Sequence, residues 1–482
     1  MYFPYPSWLN PGDNAWQLTA ATLVGLMSVI GIAALYGGIV KKKWVVNTLM
    51  MTFSGFSAVL IVWVFWAYKM GFGATFAPAH LSSHALPNFF DGFLGVPGSV
   101  TGPGQETNQA IIPNLAAASP PFHFPTSTLA YFQFVFAAIT PLLFLGSVLG
   151  RMNFKAWMIF VPAWTTCAYT VNAALLWGGG FWAQHGALDY SGGYVIHLAA
   201  GVSGFVAAWI IGPRSMRDRQ SFPPTNLLFV AVGAGMLWMG WNGFNGGDPY
   251  YAGTDAGAAV MNTNIATAAA LLTWIVCDMF FSKAKKPTYL GAVNGMIVGL
   301  VAITPAAGFV SGEGAFFMGI IASVIVFFAW NYLPKIRPFS KVDDALGVVY
   351  THGIAGLAGG LLTGIFADPQ MNEYVFGKVN ANALWQGGNG AAGLLYGNSD
   401  RLLVQFGAAA TIIIWDGLIT AALLMIIKYI LRVPLRFSDA ELEEGDKAIH
   451  DEEVEPPQLA SRTGSGIGIG IGLGSLDPLG GV

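Results

Sequence analysis

The chain has 482 residues, of which 54% are hydrophobic and 10% charged, with a mean hydropathy of +0.57 and a net charge of −3. Soluble domains carry about 25% charged residues, so this balance excludes an ordinary soluble domain and points to a chain that crosses a membrane many times. The charge gives no footing for nucleic acid, and the two cysteines, Cys167 and Cys277, lie in apolar segments with no disulfide framework and no metal-ligand spacing.

Residues 1–16 lack a basic stretch and a cleavage site, so they read as a short extracellular N-terminus and not as a signal peptide. Eleven apolar stretches follow, each near the roughly 20 residues that a bilayer core demands. They centre on 17–39, 44–68, 127–150, 155–177, 191–212, 225–245, 259–281, 288–308, 314–333, 345–367 and 402–431. All but Lys69, Lys378 and Arg401 of the 22 basic residues fall after spans 1, 3, 5, 7, 9 and 11. The positive-inside rule then places the N-terminus outside and the C-terminus in the cytoplasm, as an odd number of spans requires. Two long outer loops, about 71–125 and 368–400, are rich in Gly, Pro and Asn; their histidines, His80, His84 and His123, are not at ligand spacing. A cytoplasmic tail, 437–482, opens acidic (DAELEEGDKAIHDEEVE) and ends in GIGIGIGLGSLDPLGG, a flexible low-complexity run. With no helix after it, that run is not a nucleotide fingerprint. No paired catalytic carboxylates and no phosphate loop appear, so the chain does not read as an enzyme and calls for no cofactor.

The chemistry concentrates in a duplication. DYSGGYVIHLAAGVSG (189–204) and DALGVVYTHGIAGLAG (344–359) share the pattern D-x7-H-x-x-A-G-x-x-G. The first enters span 5 and the second span 10, which run in opposite directions. This predicts two five-helix inverted repeats, about 17–212 and 225–367, with a long eleventh helix at 402–431. Such repeats place a transport path near the bilayer midplane, at their interface. The two-fold axis would bring His197 and His352 together and put Asp189 and Asp344 at opposite mouths, each favoured by the N–H groups of a helix start. One buried histidine is more often a satisfied core residue. Two in matched motifs read as a pore. Two neutral imidazoles form a short polar rail in an apolar tube, suited to a small neutral molecule that both donates and accepts hydrogen bonds. Gly201, Gly204, Gly356 and Gly359 let the helices approach. Aromatic residues collect at the outer helix ends: Trp177 ends span 4, Phe244 ends span 6, and Phe132 and Phe136 enter span 3. An aromatic face attracts a small cation, whereas Trp182 and Tyr250 read as interfacial belt residues.

At these residues the chain resembles the ammonium transporters (Amt/Mep/Rh), through DYSGGYVIHLAAGVSG, WGGGFWAQHGALD, GWNGFNGGD, ALYGGIVKKK, AITPAAG, KVDDALGVVYTHGIAGLAGGLLTGIF and RVPL, over about 17–440. IVKKKWVVN, LGSVLGRMNFKAW and SGGYVIHL are most similar to the branch containing plant type-2 and related prokaryotic members. The resemblance implies eleven transmembrane helices, a homotrimer with one pore per subunit in the plasma membrane, and uptake of ammonium. By the same likeness Trp177 and Phe136 form an outer cation-recruitment site. Phe136 and Phe244 form a stacked gate with Phe132 beside it, and His197 and His352 form the pore pair. Asp189 and Trp241 shape the vestibule, and Asp344 is the counterpart of Asp189 on the inner repeat.

Three departures stand out. Asp248 occupies a place where members commonly carry serine; it either faces inward, attracting ammonium, or turns outward before Pro249. Arg151 lacks the glutamate that precedes it in many members. Asp416, in IIIWDGLIT, is expected to hydrogen-bond at a subunit interface. Ammonium and potassium are similar in size, so the expected filter is deprotonation: ammonia enters the histidine pore, while potassium faces the full cost of desolvation. Whether the proton follows through the imidazoles separates electrogenic transport from a neutral ammonia channel; a non-conducting ammonium sensor is the other alternative. The resemblance also implies a PII signalling protein as a partner at the cytoplasmic face.

Overall fold

The computed structural model describes residues 6–75, 92–115, 121–220, 223–371 and 391–454. His80, His84, much of both long outer loops and the Gly-rich end of the tail lie outside these residues. The helices in chain order are α1 Pro11–Ile39, α2 Lys42–Phe72, α3 Thr126–Val148, α4 Phe154–Gln184, α5 Gly193–Ile211, α6 Leu227–Gly246, α7 Thr254–Phe281, α8 Tyr289–Ile303, α9 Gly312–Lys335, α10 Val349–Phe366 and α11 Asp400–Ile430. Two short helices follow, α12 Asp439–Glu444 and α13 Asp446–His450. All eleven longer helices fall where the apolar stretches predict them. Ten are long and apolar enough to span a bilayer; α8, at 15 residues, is shorter. Pro305 accounts for the early end of α8, because it has no N–H to continue the ladder.

Asparagine and serine open several helices. Asn10 accepts from the N–H groups of Gly12 and Asp13 ahead of α1, Asn153 from Lys155 and Ala156 in α4, and Asn226 from Leu228 and Phe229 in α6. Such caps satisfy donors that a helix start leaves free. α3 is almost wholly buried and forms the centre, whereas α11 keeps most of its apolar surface on the outside.

The inverted repeat is written in backbone pairs. Ahead of α5, the N–H groups of Tyr190 and Ser191 donate to the carbonyls of Pro305 and Thr304, just past α8, at 3.1 and 3.0 Å. Ahead of α10, those of Ala345 and Leu346 donate to Ser147 and Gly146, at the end of α3, at 3.3 and 3.1 Å. Each histidine helix is thus laced to the third helix of the other half by the two residues that follow its motif aspartate.

One face of the bundle carries the basic cluster. Arg151, fully buried, donates to the carbonyls of Leu149, Gly212 and Asp343. In place of a glutamate neighbour, its charge is met by backbone dipoles and by the adjacent Arg214–Asp343 pair, in which Arg214 Nε and Nη2 reach the two carboxylate oxygens at 2.9 and 2.7 Å. The start of the tail docks on the same face. Asp446 accepts from the N–H groups of Val46 and Asn47 near the start of α2, at 2.7 and 2.8 Å, and Lys43 Nζ donates to the Leu442 carbonyl at 2.6 Å. Asp416 departs from the expected subunit contact. It is fully buried inside the chain, and the Asn172 amide on α4 donates to its two oxygens at 3.1 and 2.9 Å. A carboxylate on the inward face of α11 finds its partner within the subunit because α4 presents the only polar side chain shown bonding to it among the described residues.

Candidate functional site

Both histidines stand on π-helical turns, Gly193–Leu198 at the head of α5 and Val349–Ile354 at the head of α10. A π turn carries an extra residue and leaves N–H groups without their usual acceptors. The motif aspartates supply them. Asp189 Oδ2 accepts from Tyr194 and Val195, both at 3.0 Å, and Asp344 accepts from Val348 and Val349 at 3.2 and 2.8 Å. Gly192, with φ of 112°, lets the chain turn from the aspartate into the helix in a conformation that a side chain would strain.

His197 and His352 meet across the repeat interface. Their Nδ1 atoms are 3.2 Å apart and their ring planes lie within 26° of each other. The contact needs the side-chain-free glycine backbones behind it. A Cβ on Gly201 would lie 2.1 Å from the Gly353 Cα, and one on Gly356 would lie 2.5 Å from the Gly193 carbonyl oxygen and 3.0 Å from the His197 Cβ. In an Nδ1–Nδ1 hydrogen bond between neutral rings, one ring donates and the other accepts. Their two Nε2 atoms therefore differ: the donor ring presents a lone pair and the acceptor ring an N–H. The pair is a polar rail with one accepting and one donating end. His197 Nε2 is buried without a hydrogen bond.

Aromatic rings continue the line away from the basic face. Phe244, from α6, lies 6.0 Å from His197 and stacks on Phe136, from α3, at 4.2 Å and 25°. Phe136 meets Trp177 edge-on at 6.1 Å, and Phe132 packs against Phe136 at 4.7 Å. Trp177 is fixed by its Nε1–H, which donates to the Asp189 carbonyl at 2.6 Å. Asp248 lies in the turn after α6, buried beside Ser191 and Asp189, with its Oδ2 free of any hydrogen bond. It faces the protein and does not turn outward.

Toward the basic face, His352 borders a small apolar cavity of about 40 Å³ lined also by Trp241, Thr351, Asn294, Tyr36 and Leu346. Leu346 and Ile39 lead from it to a cavity of about 220 Å³, bounded by Lys41, Trp44, Arg214 and Asp218. The order of contacts is therefore Trp177, Phe136, Phe244, His197, His352, apolar cavity, basic mouth.

Trp241, expected at the vestibule, stands instead on the pore side of the phenylalanines. Its ring stacks on His197 at 5.3 Å and 17°, and its Nε1–H donates to Thr304 at 2.9 Å. About five turns of α6 separate the Asn226 cap from Phe244, and helical periodicity alone does not say at which depth a tryptophan meets the axis. Tyr250, expected in an interfacial belt, packs on Phe132 at 6.0 Å and accepts a hydrogen bond from the Gln133 amide at 2.8 Å. Trp182 donates to Thr411 on α11 at 3.0 Å. His123 is largely exposed and contacts Asp13. Asn294 and Thr351 were not anticipated as cavity residues, nor Gln133 as a brace for the gate. A lone amide in an apolar run, as in YFQFVF and AVNGM, is the signal that marks Gln133 and Asn294.

The profile of the Ammonium Transporter Family matches residues 15–455. Ammonium transporter 3 member 2 of Oryza sativa subsp. japonica is 49% identical over 448 residues, covering 93% of this chain and 90% of the relative. Ammonium transporter 2 of Arabidopsis thaliana is 47% identical over 450 residues, covering 93% and 89%. Among solved structures, Saccharomyces cerevisiae Mep2 superposes with a TM-score of 0.73 at 28% identity, covering 90% of this chain and 89% of that one.

Proposed function

Since the chain belongs to the ammonium transporter family, a family of multi-pass membrane transporters and not of enzymes, we propose that it takes up ammonium through a twin-histidine pore. The basic face is cytoplasmic in this reading, because Lys and Arg are retained on the inner side of a membrane; the N-terminus is then outside, and the mouth at Trp177 faces the outer medium. Ammonium is drawn to Trp177, Phe136 and Asp248 by the ring faces and the carboxylate. It gives up a proton there, and ammonia passes between Phe136 and Phe244.

The observation that carries the reading is the 3.2 Å contact of His197 with His352, in line with the stacked phenylalanines. Ammonia is both a donor and an acceptor, so it can exchange hydrogen bonds with the two unlike ends of the imidazole pair. Potassium can neither donate a hydrogen bond nor shed a proton, and a bare cation between apolar walls faces a desolvation cost that no group there offsets. The apolar cavity below His352 then releases ammonia to the wider basic mouth, where water restores ammonium. A homotrimer in the plasma membrane, with a PII protein docking at the cytoplasmic face, completes the proposal; a pull-down with PII in its ADP state tests the last element.

The test of transport is an ammonium jump applied to purified protein in vesicles on a solid-supported membrane, with a potassium jump as control. A current for ammonium alone means that charge crosses, and the imidazoles then relay the proton. No current with a change of internal pH means neutral ammonia flux. Silence in both, with ammonium still bound, would replace transport by sensing.

A further inference from the structure

We propose that Asp248 is the group that takes the proton from ammonium, an assignment that rests on the ammonium-transport reading and names its base. Four observations carry it. The side chain is nine-tenths buried, yet it forms no ion pair with any Lys or Arg among the described residues, and its Oδ2 has no hydrogen bond. It adjoins the gate, because a Cβ on neighbouring Gly247 would lie 2.4 Å from the Phe132 ring, and Phe132 packs on Phe136. The groups that face it are Asp189 and Ser191 ahead of α5, Tyr190 in the same segment, Tyr169 from α4 and Tyr250 in its own turn; none of them is a cation. Asp189 also has an oxygen, Oδ1, buried without a hydrogen bond.

A buried carboxylate costs several kcal/mol unless a positive charge meets it. Here the protein supplies no such charge and adds a second carboxylate, so the fitting partner is a small cation from solution that carries N–H donors. Burial raises the Asp248 carboxyl well above the ordinary carboxylate range; the Ser191 hydroxyl opposes the rise and the charge of Asp189 adds to it. The carboxylate is therefore a much stronger base than one in water, as the transfer requires.

The step balances simply. One N–H bond of ammonium breaks with its electron pair left on nitrogen, and one O–H bond forms at Oδ2. Ammonia and a neutral carboxyl result. The charge that held ammonium is extinguished in the same event, so ammonia is free to enter between Phe136 and Phe244. Water at the outer mouth then removes the proton and restores the carboxylate. Asp189 is the weaker base of the two, because the N–H groups of Tyr194 and Val195 stabilise its carboxylate; it acts on Asp248 through its charge.

The experiment compares wild type, Asp248→Asn and Asp248→Glu in vesicles, reading saturating ammonium flux against outer pH. In wild type, saturating flux falls as the outer medium is acidified, because a protonated carboxyl accepts nothing. Asp248→Asn is expected to lower saturating flux by about tenfold or more and to abolish that acidic limb. Asp248→Glu restores the limb and, by retaining flux, shows that the position tolerates change without misfolding; elution of Asp248→Asn as the wild-type oligomer makes the same point. Asp248→Asn with wild-type saturating flux and only a raised KM would overturn the assignment and leave Asp248 an attractor of cations. So would an acidic limb that survives the asparagine. A wild-type protein with no ammonium flux at any pH would instead count against transport itself.

Discussion

The two histidine helices are built alike and stand in unlike surroundings. Each has an aspartate that caps a π turn, a histidine eight residues on, and glycines that let the opposite helix close in. The His197 half is wrapped in rings, with Trp241 on one side and Phe244 at its mouth, and its aspartate neighbours another carboxylate. The His352 half opens on an apolar cavity, and its aspartate neighbours the Arg151 guanidinium. The backbone symmetry places the pair; in the proposed path the side-chain asymmetry makes one mouth attract cations and the other repel them. A transport path needs both: matched backbones to bring two polar groups together at the midplane, and unmatched mouths to give ammonium an entry side.

The most severe way to break the symmetric part is Gly201→Leu. Its side chain would meet the Gly353 backbone, so the expected outcome is loss of folded protein on size-exclusion chromatography, whereas Gly235→Leu, at a glycine with open space around it, leaves the elution profile unchanged. The next effect separates the two mouths. Burial alone would raise the Asp343 carboxyl, but hydrogen bonds from Arg214 and its charge, with that of Arg151, outweigh it and hold the group at about 2, below the ordinary 3.8. A depressed carboxyl stabilises the fold above its ordinary value and loses that contribution as pH falls toward 2. Asp343→Asn should therefore cost about 3 kcal/mol of stability at neutral pH, read as a lower melting temperature in detergent, and the gap to wild type should close on strong acidification. Asp189→Ala leaves the Tyr194 and Val195 N–H groups without an acceptor and should cost about 2 kcal/mol; Asp344→Ala should cost a similar amount, and a large difference between them would mean that the two caps are not equivalent. The smallest effect belongs to Trp241→Phe, which keeps a ring on His197 and loses the bond to Thr304, a cost of about 1 kcal/mol.

Much of this was legible in the residues. The repeated D-x7-H-x-x-A-G-x-x-G fixes a helix start, a histidine in its first turn and a small-residue face, all local properties, and both copies fold accordingly. Basic residues at alternate loops marked the basic face for the same reason. Pairings between distant helices were not legible. Asn172 meets Asp416 across 244 positions, and nothing in either neighbourhood encodes the other. The depth of Trp241 depends on where α6 crosses α8, and the attachment of Tyr250 to the gate depends on a left-handed turn at that residue, with φ of 63°, which a tyrosine seldom adopts. The shortness of α8 was marked by Pro305, yet the apolar run continues through it, and hydropathy alone carries the stretch to 308.

In the proposed mechanism the imidazole pair separates ammonia from potassium. The most direct measurement is paired ammonium and potassium flux in vesicles holding wild type or His352→Ala. The alanine protein should lose most of its ammonium flux or begin to pass potassium. Ammonium flux and potassium exclusion both equal to wild type would contradict it.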